Sequence, residues 1–378
     1  MARKSIPDTI KLKLWVTSAG RCEFKGCNMP VWYNGLTLSE GNFAEAAHII
    51  GSSTIGPRGT DKSGEVQIDF SNLMLLCQRC HKEIDDHPEK YPTELLRNWK
   101  NEHENRIEIQ TSYPEEIHRS TVLICSINIG DRSTPINFEA VKNSMFPKYP
   151  INSKGISINE AEFNRFGSET EWQSFAENKI KRKLQRAFEE GIDEIIIKHI
   201  SVFGIAPMPL LVYLGNCIGD TIPCDIYQSH RNIEDTNKTW RWQDVTGIEI
   251  PFIVSIEKET SGNIVLLKLA ISDTLNQDKY SSLIDENMSV YQITIPEPSP
   301  HFLKSKRQLE LFSYEYRKLL NAIQAKHGRD CKILILPAVP ISIAIECGRV
   351  ILPTKDPEIY ICEYYKDNGG YKKVLRIN

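Results

Sequence analysis

The sequence has no run of 18 apolar residues, which excludes a helix able to span a bilayer. Its opening, MARKSIPDTIKLKLW, lacks the long apolar stretch of a secretion signal, so a cytoplasmic location is expected. No charge of either sign dominates: 46 Lys and Arg face 49 Asp and Glu, a net charge of −3, and no general attraction to polyanions follows. Residues 1–107 carry 14 basic and 14 acidic side chains, so any DNA contact there needs a local patch or several subunits lined up together. A disulfide framework is also missing. Six of the ten cysteines (Cys125, Cys217, Cys224, Cys331, Cys347 and Cys362) stand singly, mostly in apolar runs, as small buried hydrophobes in a reducing compartment do. There is no GxGxxG, which disfavours an ordinary dinucleotide cofactor. In GPRGTDKSG, Lys62 follows Asp61 rather than Gly, so this is not a phosphate loop; Arg58 and Lys62 are candidates to touch a DNA backbone instead.

What is present divides a 378-residue chain into two parts. The remaining cysteines form two tight pairs, Cys22 and Cys27 in RCEFKGC and Cys77 and Cys80 in LCQRCH. Two knuckles that each offer two sulfurs read as one tetrahedral, closed structural zinc site. Between them lie His48, on the short apolar segment FAEAAHII, and Asn72, in QIDFSNLMLLC. His81 follows Cys80 directly, and Asp85 comes one helical turn later on the same face. His87 and His103 carry no such context and are expected at the surface.

The order Cys-Cys, His, Asn, Cys-Cys-His over about residues 12–106 resembles the HNH family of ββα-metal nucleases. The resemblance implies an α+β, zinc-stapled module over 1–107 that hydrolyses phosphodiesters of double-stranded DNA. It makes His48 the general base, Asn72 the residue that holds the active-site loop or the imidazole, and His81 a ligand of a catalytic Mg²⁺ or similar ion. A neutral imidazole suits the first role near neutral pH. One position departs from the pattern: Ala47 stands where many HNH proteins carry a further metal ligand, and Glu45 or Asp85 is expected to substitute, Asp85 being favoured.

A helical stretch, PTELLRNWKNEHENRIEIQ, ends near Thr111, and a connector over 108–119 leads to an apolar, β-rich region. Long charged helices at about 169–190 and 304–327 each lead into apolar strands, DEIIIKHISVFGIA and CKILILPAVP. The two halves repeat each other at an offset of 133 residues: Val202 meets Ile335, Pro207 meets Pro340, Gly215 meets Gly348 and Tyr227 meets Tyr360. Alternating strand and helix, twice over, predicts two fused parallel sheets of Rossmann type, about 120–245 and 246–378. The segments 207–218 and 340–351 are apolar nearly all round and are expected to be buried helices. Ligands of such sheets sit at the carboxyl ends of the strands, which places a cleft at FGIAPMP, LPAVPIS and the loop after SINIG.

The segments FGIAPMPLLVYLGNCIGDTIPCDIYQ…TWRWQD and ILPAVPISIAIECGRVILP…EIYICEY resemble the SAVED domain, a fusion of two CARF-like units, over about 120–378. That resemblance implies a sensor of cyclic di- or trinucleotides. HNH–SAVED chains are effectors of cyclic-oligonucleotide antiphage signalling (CBASS), so the whole chain is expected to be a nuclease switched on by such an activator. It is expected to be a homo-oligomer that assembles further on ligand binding. Bases need surfaces to stack on and phosphates need cations or amides. Trp240, Arg241, Trp242, Tyr227 and Gln228 offer both, and Met208 stands at the mouth of the Ala-Pro turn. The alternative is that the tryptophans cap the sheet as core residues. Two other functions remain open: a restriction-like nuclease whose C-terminal domain reads DNA, disfavoured by 32 basic against 35 acidic residues there, and a binding-only sensor with an inactive HNH module.

Overall fold

The structure, a computed structural model of the chain, describes residues 4–34, 36–112, 118–130, 132, 135–153, 155–160, 167–192, 196–230, 239–243, 249–366 and 369–378. It divides into two compact units, Met1–His118 and Arg119–Asn378.

In the first unit, helix α1 (Asp8–Thr17) leads to a two-stranded antiparallel ribbon, β1 (Ala44–His48) and β2 (Leu73–Cys77), with His48 opposite Leu73 and Ala44 opposite Cys77. Helix α2 (Gln78–Asp86) follows β2 without a loop, which gives a ββα order, and α3 (Thr93–Ser112) closes the unit. That last helix runs beyond residue 107, where the connector was expected to begin, and part of the connector (113–117) lies outside the described residues. The core is small: Leu14, Val31, Ile49, Leu73–Leu76, Ile84 and Leu96, with Phe24, Tyr91 and Trp99 meeting edge to face beside it.

The second unit carries two sheets. In the first, β3 (Arg119–Ile127) runs parallel to β4 (Tyr149–Pro150) and β5 (Ile156–Glu160) on one side and to β6 (Ile200–Ile205) on the other, and β7 (Cys224–Ile226) continues parallel beyond β6. Helix α4 (Phe138–Ser144) lies between β3 and β4. The charged helix expected at 169–190 is composite: α5 (Glu169–Phe175), a π-helical stretch over Ala176–Lys181, and α6 (Arg182–Glu190). Helix α7 (Met208–Ile218) follows β6. The second sheet has the order β13-β12-β11-β9-β10-β8, from β8 (Ile253–Lys258), β9 (Ile264–Ala270), β10 (Ser289–Thr294), β11 (Lys332–Ala338), β12 (Glu358–Tyr365) and β13 (Gly370–Arg376), with α8 (Lys306–His327) and α9 (Ile341–Arg349) inserted in chain order. Its four central strands are parallel, as the repeat predicts, but β8 and β13 are antiparallel edges.

The repeat has a structural cause. Helices α7 and α9 pack on each other with their backbones in contact: a Cβ on Gly215 would lie 1.8 Å from the Ile345 carbonyl oxygen, and a Cβ on Gly348 would lie 1.8 Å from that of Val212. The offset that aligns the two glycines in sequence therefore places them on either side of one helix crossing. Both helices are buried over most of their length, since each covers its own sheet and the other helix. Gly215→Ala or Gly348→Ala must push the helices apart. The expected cost is about 3 kcal/mol, read as a thermal midpoint of the second unit lowered by about 6–12 °C. A midpoint unchanged by both substitutions would contradict this packing.

Candidate functional site

The first knuckle begins where α1 ends. The Cys27 amide donates to the Phe24 carbonyl at 2.9 Å, closing a turn in which Gly26 takes φ +88°, a conformation that favours glycine. The second knuckle joins β2 to α2: Cys77 is the last strand residue and Cys80 lies in the first helical turn. The four sulfurs lie within 4.8 Å of one another, and Cys27 Sγ is 4.0 Å from Cys77 Sγ. Tetrahedral zinc thiolate requires about 3.8 Å between sulfurs, so the set fits one such ion. Burial pushes the Cys22 thiol up to about 12 and that of Cys80 higher still. Four sulfurs this close become thiolates together only around a cation. Among the described residues this is the one group of three or more His, Cys, Asp or Glu side chains able to share an ion.

His48 ends β1, and its Nε2 lies 3.0 Å from the Gln67 carbonyl oxygen. A carbonyl only accepts, so Nε2 carries the proton and Nδ1 is the basic nitrogen. Asn72 is buried, and its amide spans the loop after β1: Oδ1 accepts from the Ile50 amide at 2.8 Å, while Nδ2 donates to the carbonyls of Ile50 at 2.9 Å and Val66 at 3.2 Å. These bonds tie the backbone at Ile50 to that at Val66 across the loop. His81 faces Asp85 along α2, with Nε2 3.3 Å from Oδ2.

Three expectations change here. Asp85, expected to share the catalytic ion, has both carboxylate oxygens engaged, Oδ2 by His81 and Oδ1 by Arg58 Nη2 at 2.7 Å. Burial would raise its carboxyl, but the hydrogen bonds from His81 and Arg58 outweigh it and hold it below the usual range. A guanidinium beside the carboxylate partly offsets the charge that a metal would meet there. Arg58, a candidate DNA contact, has a side chain only 4% exposed and points into the protein, whereas Lys62 is exposed. Glu45, the other substitute, stands across from Leu76 in the ribbon. His87 lies at the surface, but His103 is buried, with Nε2 3.0 Å from the Ser18 carbonyl oxygen.

In the second unit the strand ends fall as expected. Pro207 and Pro340 cap α7 and α9 directly after β6 and β11. The proposed ligand contacts divide. Tyr227 is buried and stacks on Phe203 (centroids 4.4 Å apart, planes at 11°), and Trp240 is 3% exposed and meets Phe203 edge-on at 5.3 Å. With both of these rings packed in the core, neither offers a face to a base: the core alternative, raised for the tryptophans, describes Trp240, and Tyr227, expected as a ligand contact, is packed in the same way. Trp242 is half-buried beside His230, Arg241 is exposed, and Met208 is the half-buried first residue of α7. Gln228 is buried too, but it performs a task the sequence did not announce. Its Oε1 accepts from the Ser342 hydroxyl at 2.7 Å and the Ser342 amide at 3.3 Å, so it ties the end of the first half to the start of α9.

At the other end of the first sheet, Ser120 Oγ lies 2.8 Å from His199 Nδ1, and His199 Nε2 lies 3.4 Å from Asp225 Oδ2. The order is that of a hydrolase triad, but Ser120 is 1% exposed and no substrate reaches it. The network is structural. Burial pushes the His199 imidazole down to about 4, against the pull of Asp225. A folded pKa below the unfolded value of about 6.5 means that folding favours the neutral ring. That stability is fully present above about pH 6.5 and is lost as pH falls toward 4. The expected loss at pH 4 is about 3 kcal/mol, and His199→Asn should flatten this part of a thermal-midpoint profile. A wild-type midpoint that does not change between pH 7 and 4 would contradict it.

Two Rossmann-like halves joined through one helix crossing define the second unit as a duplicated α/β domain. The model of the SAVED family, described as the SMODS-associated and fused to various effectors sensor domain, matches residues 177–377, and the chain belongs to that family. Among solved structures, the Acinetobacter baumannii Cap4 SAVED/CARF-domain containing receptor with the cyclic trinucleotide 2'3'3'-cAAA is similar over 84% of this chain and 66% of its own, at 13% identity and a TM-score of 0.46. The same receptor with 3'3'3'-cAAA is similar over 85% and 67%, at 14% identity and a TM-score of 0.46. The corresponding Moraxella osloensis receptor is similar over 84% and 66%, at 12% identity and a TM-score of 0.44. The chain thus spans just under two thirds of the first of these. No curated protein matches it. No helix among the described residues is long and apolar enough to cross a membrane.

Proposed function

We propose that the chain is a DNA endonuclease of HNH type, stapled by zinc at Cys22, Cys27, Cys77 and Cys80, and switched on by a cyclic oligonucleotide bound to its SAVED domain in CBASS antiphage defence. The observation that carries the nuclease half is His48 at the end of a ββα ribbon, its Nε2 proton held by the Gln67 carbonyl and its loop held by Asn72. In this reading Nδ1 of His48 takes a proton from the attacking water. His81 is the side chain left to hold a hard divalent cation, with water and substrate phosphate completing its shell, as Mg²⁺ commonly accepts. Such an ion, when bound, neutralises charge on the scissile phosphate and the leaving oxygen. The family membership supports the sensor half, and a charge-neutral nuclease unit supports control by assembly, because weak intrinsic DNA affinity is raised when several units line up.

A cleavage assay on duplex DNA, run with and without candidate cyclic di- and trinucleotides and with and without EDTA, tests the reading. Cleavage that needs both activator and divalent ion is expected. Light scattering in the same samples is expected to show growth on activation. Cleavage independent of every cyclic nucleotide points to a restriction-like enzyme, and ligand binding without cleavage points to a sensor alone.

A further inference from the structure

The loop between β1 and β2 is built around an arginine whose role the reading above leaves open. Arg58 sits at φ +55°, unusual for a residue with a side chain, inside a turn too tight for larger neighbours. A Cβ on Gly51 would lie 2.3 Å from the Pro57 carbonyl oxygen, and one on Gly59 would lie 2.4 Å from that of Ser53. This turn drives the guanidinium into the unit. There Nε donates to the Ile49 carbonyl at 2.8 Å, Nη2 to the His48 carbonyl at 3.3 Å and to Asp85 Oδ1 at 2.7 Å, and Nη1 to the Ile84 carbonyl. One rigid fork therefore grips the end of the strand that carries His48 and the third turn of the helix that carries His81. Asp85 passes the grip on, with Oδ2 3.3 Å from His81 Nε2. A carboxylate accepts, so Nε2 of His81 carries a proton, and in the neutral ring this places the lone pair on Nδ1.

We propose that Arg58 is the positioning residue of the nuclease site: through the His48 carbonyl and through Asp85 it sets both the spacing of the two imidazoles and the tautomer of His81. This rests on the nuclease reading for its consequence in catalysis, but not for its effect on the rings. Lysine cannot replace the fork, because an ammonium has no planar, multiple-donor geometry. Asp85→Asn keeps the shape and removes the charge.

The test uses the full chain as Arg58→Gln, Arg58→Lys and Asp85→Asn. Zinc content and the thermal midpoints of both units report whether each variant folds. Histidine-selective ¹⁵N spectra of the protein without added divalent ion report the ring tautomers, and activated cleavage reports kcat and KM. The clamp predicts that all three variants lose the single Nε2–H state of His81. It also predicts that kcat falls about 100-fold for Arg58→Gln, as a misplacement of about 1 Å can cause, with KM within about twofold of wild type. A variant that keeps its zinc, its ring spectrum and its kcat overturns the proposal. So does a change confined to KM and its salt dependence, which would make Arg58 a phosphate contact. If wild-type protein cuts no DNA under any activator, the nuclease reading fails, and the ring spectra still decide the clamp.

Discussion

Replacing Cys77 with serine is expected to unfold the N-terminal unit and leave the C-terminal unit folded. The N-terminal core is a dozen buried hydrophobic side chains around a two-stranded ribbon, and a ribbon of two strands is marginal in water. A structural zinc contributes an apparent ~10–16 kcal/mol, more than the whole stability of most domains of this size. Because Cys77 ends β2 and Cys80 opens α2, loss of one sulfur releases the junction of strand and helix on which the His48–Asp85 region depends. Differential scanning calorimetry should show the loss of one of two transitions, and elemental analysis should find about one zinc per wild-type chain. Folded, active protein without zinc would overturn the four-cysteine staple.

His48→Ala is expected to lower cleavage by about 10²–10⁴-fold while zinc content and binding of the activating nucleotide are unchanged. The separation is possible because His48 is half-buried at the strand end, whereas Asn72 and Arg58 hold the surrounding loop. Asn72→Ala should therefore behave differently, with loss of activity and of stability together, since its buried amide leaves the Ile50 and Val66 backbone groups unpaired. If His48→Ala cut activated DNA at the wild-type rate, another group would be the base.

The parts of this protein that could be read in the sequence are those in which neighbours along the chain are neighbours in space. The cysteine knuckles close within five and three residues, so their spacing predicts the four-sulfur cluster. The helix pair was legible because the same glycine recurs in both copies and marks one crossing twice. Arg58 was misplaced for the opposite reason: its partners are carbonyls and a carboxylate 9 to 27 positions away, and nothing in GPRG shows that the turn points inward. Tyr227 was placed wrongly, and Trp240 stayed open, because an aromatic ring at a strand end serves a ligand or a core equally well, and only Phe203 packing against both decides it. The antiparallel edges β8 and β13 were invisible because alternation of polar and apolar residues says nothing about strand direction.

The backbone contact between α7 and α9 also determines what can be separated from what. A fragment cut near residue 245 would uncover a helix whose apolar residues are shared between its own sheet and the other half, so each half is expected to lose stability when separated. The duplication behaves as a permanently fused dimer. Bulk added to one helix at the crossing presses on the backbone of the other, so a change in either copy of this segment is felt by both halves.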